Sequence, residues 1–157
     1  MRPSLAILAC TALVAGAAAQ AATPAPAISD AQYAAALAAP WRATENTRRD
    51  AFRHPAETLK FFGLRANQRV IEITPGGGWY SEILAPMLKD QGHYVAALQA
   101  PSSGDYYAKA AASLRDKFKA APAQYARVCV KSFETKVRQG ENSRGTVGVA
   151  FDFTGCK

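Results

Sequence analysis

The stretch Val70–Tyr80, which reads V-I-E-I-T-P-G-G-G-W-Y, constrains this chain more than any other. A short apolar run leads into a turn, and three glycines then open an amphipathic segment. That is the strand, loop, helix order of a nucleotide-binding βα unit. In such a unit a ligand approaches backbone amides closely and reaches the positive end of the following helix. Gly76, Gly77 and Gly78 suit this because they lack a Cβ and tolerate positive φ. Glu72 stands just before the turn, where a carboxylate either orients backbone amides or meets an amine or hydroxyl of a ligand. The same pattern also serves as a tight strand-to-helix connection that binds nothing.

Met1 to about Ala19 carries one early Arg, an apolar run from Leu5 to Ala18 and the small residues Ala17-Ala18-Ala19 before Gln20, which describes a secretory signal peptide. A membrane anchor would need about twenty apolar residues and fits less well. Export to the periplasm or medium is therefore expected, with residues 20–29 as an Ala/Pro/Thr linker and residues 30–157 as the folded domain. The full chain has 19 basic and 12 acidic side chains; losing Arg2 with the leader leaves 18 against 12, a balance of +6. The basic residues are dispersed. Arg48, Arg49 and Arg53 form the densest cluster, and Lys109, Arg115, Lys117 and Lys119 share one helix that reads as a solvated face. No coherent basic groove with interleaved aromatics is present, so no nucleic-acid partner is expected.

Ser29-Asp30 caps a short Ala-rich helix from Ala31 to Ala39, stopped by Pro40. A second helix is expected over Glu45 to Phe52, and Pro55 starts a third that ends at Gly63. Arg49, Asp50, Arg53 and His54 either face a ligand from this lid or form an Arg–Asp pair with His54 as a helix cap. Gln68 to Thr74 reads as the first strand and Tyr80 to Leu88 as its helix, with Pro86 kinking or ending it. His93 to Leu98 is the second strand and Tyr106 to Ala120 the next helix, with Tyr107, Ala111, Leu114 and Phe118 on its core face. Arg127 to Lys131 is a third strand, Glu134 to Arg144 reads as a loop, and Thr146 to Phe153 is a fourth apolar run.

The motif E-I-T-P-G-G-G-W-Y-S-E-I-L-A-P resembles motif I of class I S-adenosylmethionine-dependent methyltransferases. It looks like the variant of predicted, often exported bacterial methyltransferases in which Pro-Gly-Gly-Gly-Trp-Tyr replaces the commoner E/D-x-G-x-G-x-G. Counted from Glu72, the first glycine of that pattern falls on Thr74, and the second and third on Gly76 and Gly78. The upstream residues Arg49-Asp50, Arg53-His54-Pro55, Glu57-Thr58-Leu59 and Phe61-Phe62-Gly63 are similar to what precedes motif I in the family. The likeness covers Ala36 to Leu98 and weakens afterwards. It implies an α/β, Rossmann-like parallel sheet of about four strands behind N-terminal helices, a truncated methyltransferase fold. It also implies S-adenosyl-L-methionine as cofactor, held by Glu72, Gly76, Gly77, Gly78, Trp79 and Tyr80.

Departures from the family pattern matter as much. An acidic residue usually ends the second strand and binds the ribose hydroxyls, whereas Gln99 stands here; Asp105 either substitutes for it or caps the next helix. Trp79 and Tyr80 either stack on an adenine or pack on neighbouring elements. The family has seven strands, so the chain reads as C-terminally truncated. Val147, Val149 and Phe151 on the fourth strand would lack helical cover, and the incomplete sheet edge invites self-association.

Methyl transfer from a sulfonium depends mainly on holding acceptor and methyl group in line, so no catalytic residue is mandatory and none is assigned. There is no Gly-x-Ser-x-Gly, no His-x-x-x-His and no Cys-x-x-Cys, and two histidines far apart in sequence give no metal site. Two functions of different class stay open: an exported methyltransferase acting on a small-molecule acceptor, and a non-catalytic exported binding or remnant domain that keeps the fold for a different ligand or partner. The family strand order, 3-2-1-4, puts strands three and four at opposite edges, about 14 Å apart. The resemblance therefore implies that Cys129 and Cys156 remain free thiols.

Overall fold

The computed structural model describes residues 27–138, 146–150 and 155–156. The residues expected as signal peptide, most of those expected as linker, and Phe151 lie outside the described residues. Helix α1 (Asp30–Leu37) begins as the sequence predicts. Ser29 and Gln32 form a reciprocal capping box, with Gln32 N donating to Ser29 Oγ at 3.3 Å and Ser29 N donating to Gln32 Oε1 at 2.9 Å. Such a cap contributes about 1 kcal/mol.

The helix expected over Glu45 to Phe52 is split into α2 (Thr44–Thr47) and α3 (Asp50–Arg53). At the break the Asn46 carbonyl accepts from Arg49 N at 3.0 Å, a tight i+3 bond, and also from Trp79 Nε1 at 2.9 Å. A tertiary partner has taken an acceptor that a continuous helix would use. His54 follows in the left-handed region (φ 45°) at the junction with α4 (Pro55–Phe61), which Pro55 starts, and its side chain makes no cap.

Strands β1 (Arg69–Ile73) and β2 (His93–Gln99) pair in parallel, Glu72 opposite Ala96, and are joined by α5 (Ser81–Leu88). A 3-10 turn at Pro101–Ser103, α6 (Asp105–Ala120) and α7 (Pro122–Tyr125) lead to β3 (Cys129–Arg138), parallel to β2. The fold is thus the expected α/β, Rossmann-like arrangement. Tyr94, Ala96 and Leu98 of β2 form one buried cluster with Ile83, Leu84 and Leu88 of α5 and with Ala111, Leu114 and Phe118 of α6. Pro86 does not end α5. It cannot donate to the carbonyl of Glu82, and Trp41 Nε1 donates there instead at 3.1 Å.

The fourth strand departs from expectation. β4 (Thr146–Ala150) runs antiparallel beside β3, so the sheet order is β1-β2-β3-β4 and not 3-2-1-4. Residues 134–138, expected as loop, belong to β3. Residues 139–145 are too few for a parallel crossover to the far side of β1, which needs about a dozen. They suffice for a hairpin.

That hairpin corrects the cysteine expectation as well. Its register, Glu134 opposite Ala150, runs back toward Cys129, and Cys129 and Cys156 form a disulfide with Cα atoms 5.6 Å apart. The free-thiol inference rested on the family strand order, and it fails where that order fails. β1, rather than β4, is then the outer parallel strand. On the face opposite α5 its Ile71 and Ile73 are 41% and 55% exposed, while their register partners Val95 and Ala97 are fully buried.

Candidate functional site

The glycine turn begins at Thr74, whose N–H donates to Ala97 O at 2.8 Å and so ties the end of β1 to β2. Thr74 has φ 54°, the left-handed region, where a β-branched residue is strained. The expected motif would place its first glycine here, and this chain has a threonine in the left-handed region instead. Gly76 (φ 56°) and Gly78 (φ 83°) are also left-handed. A Cβ on Gly76 would meet nothing within 4 Å, whereas one on Gly78 would sit 3.0 Å from Leu114 Cδ1. Gly76 thus keeps a surface open, and Gly78 lets α6 pack against the turn.

The open surface is one wall of a cleft of about 140 Å³ at the carboxyl ends of β1 and β2. Thr74 and Gly76 form that wall. Leu98 and Gln99 form the floor, and Tyr106, Tyr107, Ala110 and Ala111 of α6 close the other side. Ligands of open α/β sheets bind at this place in the topology. Gln99 Nε2 donates to Ser103 Oγ at 3.4 Å, which turns its amide carbonyl into the available acceptor. Asp105 is the first residue of α6, behind Gly104, and makes no side-chain cap.

Of the six residues expected to hold a cofactor, Gly76 lines the cleft. Glu72 lies behind it, half-buried, where Tyr94 Oη donates to its carboxylate and Ser81 Oγ donates at 3.4 Å. The Ser81 and Tyr94 hydroxyls are themselves 2.7 Å apart. Burial pushes the Glu72 carboxyl above its ordinary value, against the two hydrogen bonds, which favour the ionised form. Tyr94 is raised as well, by burial and then by the Glu72 charge.

Gly78 packs against Leu114 and Tyr80 against the apolar core, while Gly77 and Trp79 touch a buried polar hub centred on Glu82, the second residue of α5. Its Oε1 accepts from Lys117 Nζ at 2.5 Å, from Asn46 Nδ2 at 2.9 Å and from Ala43 N at 3.3 Å. Its Oε2 lies 3.8 Å from Arg42 Nε. Arg42 forks onto Asp50 at 2.5 and 2.9 Å, and Asp50 Oδ1 also accepts from Trp79 Nε1 at 3.0 Å. The Arg–Asp pair of the lid is therefore Arg42–Asp50, not one made by Arg49. Trp79 is buried and packs edge-on against Tyr80. Arg42, Asn46, Ser81, Glu82, Tyr94 and Lys117 escaped sequence reading. Ser81 and Glu82 adjoin the motif and gave a positional signal; Arg42 and Tyr94 gave none.

A larger groove of about 300 Å³ lies between α1 and the carboxyl-terminal end of α5, lined by residues such as Ile28, Ala36, Trp41 and Met87. It is mostly apolar and stands at the opposite end of α5 from the glycine turn. Among the described residues no group of His, Cys, Asp and Glu is placed to hold a metal ion, and no helix is long and apolar enough to cross a membrane. Compared with family models, curated proteins and solved structures, the chain matches none.

Proposed function

We propose that the cleft between the glycine turn and α6 binds the adenosyl end of S-adenosyl-L-methionine, and that the chain is an exported methyltransferase-type domain acting on a small molecule. The observation that carries this reading is the strained turn itself. Thr74 and Gly76 both adopt left-handed φ at the carboxyl end of β1, and Gly76 leaves the cleft wall bare. Backbone strain of this kind clusters at ligand clamps and active sites. Tyr106 and Tyr107 supply aromatic surface, and the Gln99 carbonyl supplies an acceptor for a ribose hydroxyl. The residues fit a base and sugar; a cleft of about 140 Å³ does not enclose a whole cofactor, since pockets for drug-sized ligands start near 300 Å³. When bound, the cofactor supplies the methyl group, and the chain's part is to orient it.

A second reading, a non-catalytic binding domain, is favoured by Gln99 at the ribose position and by the Glu72 carboxylate engaged with Tyr94 and Ser81. Self-association is proposed through the open edge of β1 beside Ile71 and Ile73. Equilibrium dialysis against S-adenosylmethionine and S-adenosylhomocysteine separates the readings. Binding of both with methyl transfer to added acceptors supports the enzyme, and binding without turnover supports the binding domain. No binding of either overturns the methyltransferase reading and leaves a domain that keeps the fold for a different ligand or partner.

A further inference from the structure

Away from the cleft, the lid holds a pair of cations without an anionic partner. Arg53 N donates to Arg49 O at 3.0 Å, so the two arginines are one helical turn apart on the same face. Both guanidinium groups stand over the Trp79 ring, with Arg53 Cζ 4.9 Å and Arg49 Cζ 6.0 Å from its centroid. The ring is a fixed platform, because its N–H donates to both Asn46 O and Asp50 Oδ1 and the residue is buried. Asp50, the carboxylate between the two arginines in sequence, is already forked by Arg42. Among the described residues neither Arg49 nor Arg53 has a carboxylate within ion-pairing distance.

Like charges four residues apart repel, and the indole face offsets only part of that cost. Among the described residues neither guanidinium makes a hydrogen bond, so the N–H donors of both are free, and both residues are exposed. Two planar forks a helical turn apart suit a tetrahedral oxyanion that can be bridged on two sides better than one planar carboxylate. We infer that Arg49 and Arg53, mounted on Trp79, form a receptor for a phosphate group. Arg48 is exposed next to them and adds to the positive field, and Phe52, between them on α3, is 86% exposed. The phosphate belongs either to a soluble phosphorylated molecule or to a lipid headgroup, with Phe52 entering the acyl boundary in the second case.

The test uses the mature chain, with inorganic phosphate followed by indole fluorescence and with co-sedimentation on phosphatidylglycerol and phosphatidylcholine vesicles. Saturable phosphate binding is expected, weakened at least tenfold in R49Q/R53Q and unchanged in Lys119→Gln, an exposed cation of α6 that already pairs with Asp116. Far- and near-ultraviolet dichroism checks that R49Q/R53Q is folded. Should that variant unfold, Arg53→Lys keeps the charge, loses the fork and is expected to bind more weakly. Sedimentation with phosphatidylglycerol only, lost in R49Q/R53Q and reduced in Phe52→Ser, identifies a headgroup; phosphate binding without sedimentation identifies a soluble ligand. Equal binding by parent and R49Q/R53Q, or neither phosphate binding nor a preference for anionic vesicles, overturns the inference.

Discussion

Lys117 of α6 donates to the carbonyl oxygen of Gly77 at 2.9 Å while its ammonium also meets the buried Glu82 carboxylate. One helical turn earlier, Leu114 fills the space where Gly78 lacks a Cβ. The glycine turn is therefore held from α6, the helix that also forms the far wall of the cleft. Gly78→Ala should destabilise the fold by about 2–4 kcal/mol, from left-handed strain together with overpacking against Leu114. Gly76→Ala carries the strain alone and should cost about 1–2 kcal/mol. Urea unfolding of the two variants checks the difference; equal losses would remove the distinction between a packing glycine and a cleft glycine.

Thr74 makes the opposite prediction. It keeps φ 54° without being a glycine. Thr74→Gly should raise stability by about 1 kcal/mol, the strain released less the added freedom of the unfolded chain. A loss of stability would show that the Thr74 side chain contributes more than its backbone costs.

How far this site could be read from the sequence follows from where its forces originate. The glycine turn and the cap at Ser29 depend on local patterns that short stretches carry, whereas the parallel order of the first three strands was only implied by the family resemblance. The break at Asn46 and the survival of α5 past Pro86 depend on indole N–H groups from Trp79 and Trp41, distant in sequence, and no local pattern announces them. Lys117 read as a solvated residue because helical spacing gives a face without saying what lies opposite. The fourth strand went astray because the family order was extended past the residues that carry the resemblance, and because ending the third strand at Lys131 left a connection long enough for a crossover, where β3 in fact runs on to Arg138.

Glu72 gives a pH dependence. Its folded-state value is raised above the ordinary 4.5 by burial, so its contribution is fully present below that pH and is lost as pH rises through the folded value. Glu72→Gln keeps an acceptor for Tyr94 without the charge. The variant should gain stability relative to the parent as pH rises above about 4.5, then hold a constant difference once Glu72 is ionised. Thermal unfolding across pH 4 to about 9 measures this. A difference that shrinks as pH rises would mean that the hydrogen bonds from Tyr94 and Ser81 outweigh burial.

The disulfide joins residues 27 apart in sequence. On the chain-entropy relation a closed loop of that size stabilises by about 3.5 kcal/mol. Cys156→Ser should lower the unfolding free energy by about that amount, and a reducing agent should lower the parent's to the same level while leaving the variant unchanged. Two titratable thiols in the unfolded, non-reduced monomer would contradict the bond and the β3–β4 hairpin that delivers it.

Calorimetric titration of S-adenosylhomocysteine into the parent and into Gly76→Val tests the central claim most directly. The account predicts saturable one-site binding by the parent and at least tenfold weaker binding, about 1.4 kcal/mol, by a variant whose dichroism shows it folded. A parent that takes up no ligand, or a folded Gly76→Val that binds as tightly as the parent, would contradict it.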